Sequence, residues 1–324
     1  MPGIAMYRIK LFATMTLTLA IFIGFTTLAI LIIGRLIGIG LYMALAIALI
    51  FNLVQWILAP KLIETMYRLR PIDEDDDPKI HEMLENLSRK FGLKKPKIYL
   101  ADIDAPNAFA FGGIFGEKKV ALTRGLLRTL NYDEVEAVVG HELGHISHRD
   151  VSIMMGLSML PTIFYIIWRY SLYSIYFGGY GGRDSRDSGA ALWLAIGAAS
   201  FIFYIILTLI LLGFSRVREY YADFAASTKV ENGARKLMRA LIKISGYHKK
   251  ASKDLKSYGG FKALLISDPD TKIEVASLHD IDRIIDNISS RKLSWKDRIM
   301  ELFSTHPNLV SRIKRLKELE ANES

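Results

Sequence analysis

The stretch NYDEVEAVVGHELGHISHRD, Asn131–Asp150, decides how the rest of the chain is read. Val135, Val138, Val139 and Leu143 recur at helical spacing, acidic residues cluster at the start, and Asn131 or Asp133 can cap the helix. His141 and His145 stand four apart and share a face, so both imidazoles can point at one ion. Glu142 lies about 100° round from His141, where it can face a water on that ion. Gly144, in the helix interior, costs about 1 kcal/mol relative to Ala. The sequence therefore predicts that something approaches the backbone closely there.

Zinc uses three protein ligands and an open fourth position for a water whose pKa falls to about 7. Glu142 is then the natural general base, taking the water's proton as the hydroxide attacks a carbonyl and passing it to the leaving amine. A pair of surface or capped histidines is the plainer alternative. With only 7 His in 324 residues, chance produces H-E-x-x-H on the order of once in a hundred such chains. The third ligand must come from elsewhere. His148 lies too near, a third histidine six residues beyond the second would fall on Val151, and Asp150 cannot easily close a tetrahedron from the same helix. SRVREYYAD, Ser215–Asp223, offers Glu219 as a carboxylate ligand and, one turn on, Asp223 as acceptor for a ligand histidine's other ring N–H. Spacing alone does not separate that pair from an ordinary acidic helix surface.

Outside these segments the chain is strongly apolar, 51% hydrophobic overall. Residues 11–33 and 36–59 carry no charged side chain, and each is long enough to cross a hydrocarbon core of about 30 Å as a helix. A second pair falls at about 152–177, with Arg169 near one end, and at 190–213. Four membrane spans in two hairpins are expected, dividing the chain into 1–60, 61–150, 151–213 and 214–324. The alternative for the second pair is a buried core hairpin. Arg8 and Lys10 precede the first span, Lys61, Arg68 and Arg70 follow the second, and Arg216 and Arg218 follow the fourth. That bias puts both termini and both polar blocks on the cytoplasmic side of the cell membrane. The net charge of +9 reads as membrane anchoring, because no basic-aromatic nucleic-acid motif accompanies it. Zero Cys excludes disulfides, thiolate ligands and a cysteine nucleophile.

Within the polar blocks, an amphipathic helix is expected from about Pro78 to Phe91, then three short strands in PKIYLAD, NAFAFGG and KKVALT and a short helix in TRGLLRTL. FSRVREYYADFAAS, NGARKLMRALIKIS and HPNLVSRIKRLKELE read as helices, while 250–295 shows mixed periodicity and receives no assignment. His81, His248 and His279 have no partner pattern and are expected on the solvated surface.

HELGH, SRVREYYAD, NAFAFGG and STHPNLVSRIKRL, in this arrangement, resemble the HtpX-type membrane zinc metalloproteases, relatives of the CAAX prenyl proteases. The resemblance covers nearly the whole chain. It implies a mainly α membrane protein with four transmembrane helices and a cytosolic α+β zincin-like domain. It implies His141, His145 and Glu219 as zinc ligands, Glu142 as general base and Asp223 as partner of a ligand histidine. It also makes the strand at Asn107, Ala108, Phe109 and Ala110 an edge that pairs with an extended substrate. His306 and Arg312 match positions near the zinc that stabilise the oxyanion or brace the glutamate ligand; for His306, a cap before Pro307 is the alternative. The unassigned 250–295 region departs from the family's common form.

The expected activity is a zinc endopeptidase in the bilayer, its polypeptide substrates misfolded or damaged membrane proteins. A CAAX-type prenyl-protein protease is the alternative within the enzyme class, disfavoured by the small number of spans. An intramembrane protease does not fit a motif flanked by Asp133, Glu134, Glu136, Arg149 and Asp150. A non-catalytic membrane protein with structural zinc would close its metal site with four protein ligands and leave Glu142 without purpose.

Overall fold

The computed structural model describes residues 67–112, 116–148, 150–177, 186–250 and 281–323, with separate helical positions between 46 and 65. The expected span 11–33 lies outside the described residues, as does most of 36–59. The described residues form two compact units, one comprising Leu58–Ser152 and Ser215–Ser324, the other including Ile153–Phe214.

In the first unit, the acidic, proline-bounded start of the polar block becomes a capped helix, α1 (Pro78–Phe91). The Asp77 side chain accepts the Ile80 N–H at 3.1 Å, Pro78 occupies the first turn where its missing N–H is harmless, and Gly92 closes the end in left-handed conformation with φ 67°. Its apolar face, Ile80, Leu84 and Leu87, is fully buried. A four-stranded sheet accompanies it, made of β1 (Arg70–Pro71), β2 (Lys97–Ala101), β3 (Ala108–Phe111) and β4 (Lys119–Thr123). The spatial order is β1-β2-β4-β3. β2 and β4 are parallel, and β3 runs antiparallel to β4 with Phe109 opposite Ala121. β3 is therefore an edge strand. β1 was not anticipated, because two residues carry no readable alternation.

Thr123 caps the short α2 (Arg124–Thr129), and the central helix α3 (Tyr132–Ser147) follows. Asn131 and Glu134 form a reciprocal capping box at its start. From Val135 to Ile146 nearly every residue of α3 is buried, with Val135, Val138, Val139 and Leu143 in the main apolar core. Each such side chain contributes roughly 1.5–3 kcal/mol on burial, which offsets the cost of carrying polar groups through the same helix. The core is completed by α6 (Gly233–Lys250), α7 (Ile281–Ser290) and α9 (Leu309–Glu323). The helix α8 (Trp295–Leu302) has no buried residue. α7 falls in the stretch 250–295 for which the sequence predicted no element, and α8 starts at its last residue; 251–280 lies outside the described residues.

In the second unit, α4 (Asp150–Phe177) covers the expected span 152–177, and α5 (Arg186–Lys229) contains the expected span 190–213. The two pack through Phe164, Ile167, Ile196 and Leu207, with Phe164 and Phe203 ring centroids 5.4 Å apart. One described helix, Ala190–Lys229, is long and apolar enough to cross a membrane, and only 22% of its most apolar stretch is buried. The core helix of a soluble protein would be mostly buried, so the apolar exterior of α5 matches a lipid environment. The described residues are mainly helical, with one small sheet.

Candidate metal centre and active site

Two helices build the site, and small residues let them meet. A Cβ on Gly144 would stand 3.1 Å from Ala222 Cα and 3.2 Å from Ala225 Cβ, and one on Gly140 would stand 2.6 Å from Val230 Cγ2. The close approach expected at Gly144 is thus made by the continuation of α5. That contact seats Glu219 and Asp223 against His141 and His145. The Gly140 half of the contact was missed, although small residues at 140 and 144 facing Ala222, Ala225 and Ala226 are a signal the sequence carries.

His141, His145 and Glu219 are buried, and their ligand atoms all lie within 4.8 Å of one another. Glu219 Oε2 is 3.6 Å from His141 Nε2, and Oε1 is 3.4 Å from His145 Nε2. Ligands at about 2.0–2.1 Å in a tetrahedron stand roughly 3.3–3.4 Å apart, so the donor set suits a small divalent ion. On its other side, His141 Nδ1 is 3.0 Å from Asp223 Oδ1, which leaves Nε2 directed at Glu219. Asp223 is itself gripped by Arg312, whose Nε and Nη2 donate to its two oxygens at 2.9 and 2.5 Å. Arg312 is 1% exposed, and its Nη1 lies 3.6 Å from Glu219 Oε2. His306 Nδ1 approaches the same oxygen at 3.2 Å, while Glu219 Oε2 and both ring nitrogens of His306 lack a well-aligned hydrogen bond.

The charge balance points the same way. Three buried carboxylates, Glu142, Glu219 and Asp223, face one buried guanidinium, a local excess of negative charge that a cation would balance. Burial pushes the Glu142 carboxyl above its usual range, against the pull of His145 and His141. Burial acts in the same sense on Glu219 and Asp223, but is outweighed. His306, His141 and His145 hold Glu219 well below the carboxylate range, and Arg312 with His141 lowers Asp223. Burial would depress His141, but hydrogen bonding to Asp223 and Glu219 raises it on balance.

Glu142 lies beside the pair rather than within it, and its Oε2 accepts the Ala110 N–H at 2.7 Å. Ala110 is on β3, so the general-base candidate touches the open edge of the sheet. Backbone groups alternate along a strand. Thr123 N–H donates to Asn107 C=O at 3.0 Å, and Phe109 stands opposite Ala121, so Asn107 and Phe109 face β4 while Ala108 and Ala110 face outward. Asn107 is 3% exposed, and its N–H donates to Thr123 Oγ1 at 2.8 Å. The Phe109 ring is packed on Tyr67, with centroids 4.9 Å apart. The link from Ala110 to Glu142 was not foreseen, since nothing in local pattern reports a contact 32 residues apart.

His148 and His81 stay outside the site. His148 caps α3, its Nδ1 2.8 Å from Gly144 O, and its ring meets Tyr221. His81 corrects the expectation of a solvated side chain: it is partly buried, with Nε2 2.8 Å from Ile72 O, because it links α1 to the chain beside β1. His279 lies outside the described residues, as does the side chain of His248.

Known proteins resemble the chain over most of its length. Peptidase family M48 matches residues 74–320. The Protease HtpX homolog of Thermoplasma acidophilum is 34% identical, covering 96% of this chain and 97% of that protein. The Protease HtpX homolog of Aeropyrum pernix is 35% identical over 86% of each. The crystal structure of S. mikatae Ste24p shares the fold with a TM-score of 0.56 at 19% identity, over 95% of this chain and 67% of that one. The chain belongs to peptidase family M48 and is a membrane-bound metalloendopeptidase.

Proposed function

We propose that His141, His145 and Glu219 hold one zinc ion per chain and that the protein hydrolyses peptide bonds of misfolded or damaged membrane proteins. The convergence of three buried ligand atoms within 4.8 Å carries this reading. Zinc there would supply a Lewis acid that acidifies water and polarises the scissile carbonyl. Glu142 accepts the attacking water's proton and returns it to the leaving amine. Asp223, fixed by Arg312, selects the ring orientation of His141, and His306 with Arg312 braces Glu219. An extended substrate pairs with the outward peptide groups of Ala108 and Ala110, while Asn107 and Phe109 hold that edge in register. Because the Ala110 N–H is already given to Glu142, substrate pairing and placement of the base act through one peptide group. A structural zinc site would close with a fourth protein ligand, whereas Glu142 is turned to the strand.

We further propose that the four apolar stretches cross the cell membrane as two hairpins, with both termini and the active site on the cytoplasmic side, as the Lys and Arg flanks support. The test uses the full chain in proteoliposomes with a misfolded membrane protein as substrate. Glu142→Gln should retain one zinc and fail to cut, and Glu219→Ala should lose the zinc. Equal zinc content in the two variants would overturn the ligand assignment.

A further inference from the structure

α8 and the residue after it expose five large apolar side chains: Trp295 at 67%, Ile299 at 47%, Met300 at 62%, Leu302 at 52% and Phe303 at 67%. Their arrangement is ordered. At about 100° per residue, Leu302, Trp295, Ile299 and Phe303 fall within an arc of about 100°, and Met300 lies about 60° beyond it. Exposed Lys296 and Arg298 flank that arc on either side, and exposed Arg291 and Lys292 precede it. The acidic residues lie opposite and are engaged by the chain itself: Asp297 accepts the Ser294 N–H at 2.9 Å and Glu301 accepts the Asn308 N–H at 3.1 Å. An apolar stripe edged by cations, with its acids turned away, is the pattern of a helix lying in the surface of an anionic bilayer.

A tether fixes the level of this stripe. Arg216 Nη1 donates to Leu302 O at 3.2 Å and to Ser304 O at 2.9 Å, holding the end of α8. Arg216 stands three residues beyond the apolar run 190–213 on α5, a rise of about 4.5 Å along the helix. The end of α8 is therefore tethered to α5 within about one helical turn of the end of that apolar run.

From the stripe, its basic flanks and this tether, we propose that α8 is an interfacial anchor. Trp295, Ile299, Leu302 and Phe303 insert among the acyl chains, and Lys296 and Arg298 bind anionic headgroups. The inference rests on the reading that α5 spans the bilayer.

The chain contains no cysteine, so a nitroxide on Ile299→Cys reports from one place. The full-length protein is reconstituted in vesicles of phosphatidylcholine and phosphatidylglycerol, and collisions with oxygen and with a water-soluble nickel chelate are compared. Phe201→Cys, in the apolar run of α5, and Glu82→Cys, on the exposed face of α1, provide the lipid and water references. The label at 299 should favour oxygen over nickel and sit about 5–10 Å below the phosphates. Lys296→Glu with Arg298→Glu should make it shallower in anionic vesicles and leave it unchanged in pure phosphatidylcholine. A label at 299 that behaves like Glu82→Cys, with 201 in lipid, would overturn the anchor and leave the span intact. One shielded from both reagents would mean that protein covers the stripe, another segment of this chain or a second copy, and would also overturn it. If 201 itself is in water, the span has failed and the anchor with it.

Discussion

The two ends of α3 each bury a glutamate, and they treat it in opposite ways. Glu134, 1% exposed, is surrounded by answers to its charge: Lys243 Nζ at 2.7 Å, Arg239 Nε at 3.6 Å, and the Asn131 N–H at 3.0 Å. Glu142, 4% exposed and two turns along, has one backbone N–H and two imidazoles nearby, and burial raises its carboxyl above the usual range. A buried carboxylate matched by cations is an ion-paired part of the scaffold, and breaking the pair costs stability. One whose burial outweighs its partners is raised toward holding a proton. On the proposed reading, the difference separates a structural acid from a chemical one on the same helix.

Exchanging each carboxylate for its amide should split the two roles. Glu142→Gln should lower the turnover number by about 10²–10⁴-fold, the usual worth of a general base, with the melting temperature retained; an active amide would make Glu142 another structural acid. Asp223→Asn keeps the shape but weakens the hold on His141 and Arg312. It should cost about 10–100-fold in metal affinity, read by competition with a chelator, and unchanged affinity would show that His141 needs no such partner. Glu134→Gln should behave inversely to Glu142→Gln. It should cost about 1–3 kcal/mol in unfolding free energy with turnover per folded molecule unchanged, and a loss of turnover at full stability would break the comparison. Gly144→Ala should have the smallest effect. The new methyl meets Ala222 and Ala225 at 3.1–3.2 Å, so overpacking of about 1–3 kcal/mol is partly offset by about 1 kcal/mol of helix propensity. Titrating metal binding in that variant measures how far the Glu219 helix has been pushed from the histidines.

Much of this was legible in the chain because it is local. His141 and His145 share a face through helical geometry alone. Asn131 marks a helix start by a side chain that reaches a backbone N–H three residues on. The strands at 97–101, 108–111 and 119–123 show in their residues and flanking turns. α7 and α8 were not readable: their apolar stripes are short and run together with the residues before them. The role of His81 was misread because its carbonyl partner lies in another part of the chain.

The sequence by itself determined the HELGH face, the apolar stretches and the chemical types available for a metal, since these follow from spacing and composition within one segment. Only the tertiary structure decided that Glu219 stands 3.4–3.6 Å from both histidines, that Arg312 holds Asp223, and that Ala110 answers Glu142. Those are contacts between segments 32 to 89 residues apart. They exist because Gly140 and Gly144 let two helix backbones approach and because the sheet order leaves β3 at the edge. Such distances are settled by packing, which no local pattern contains.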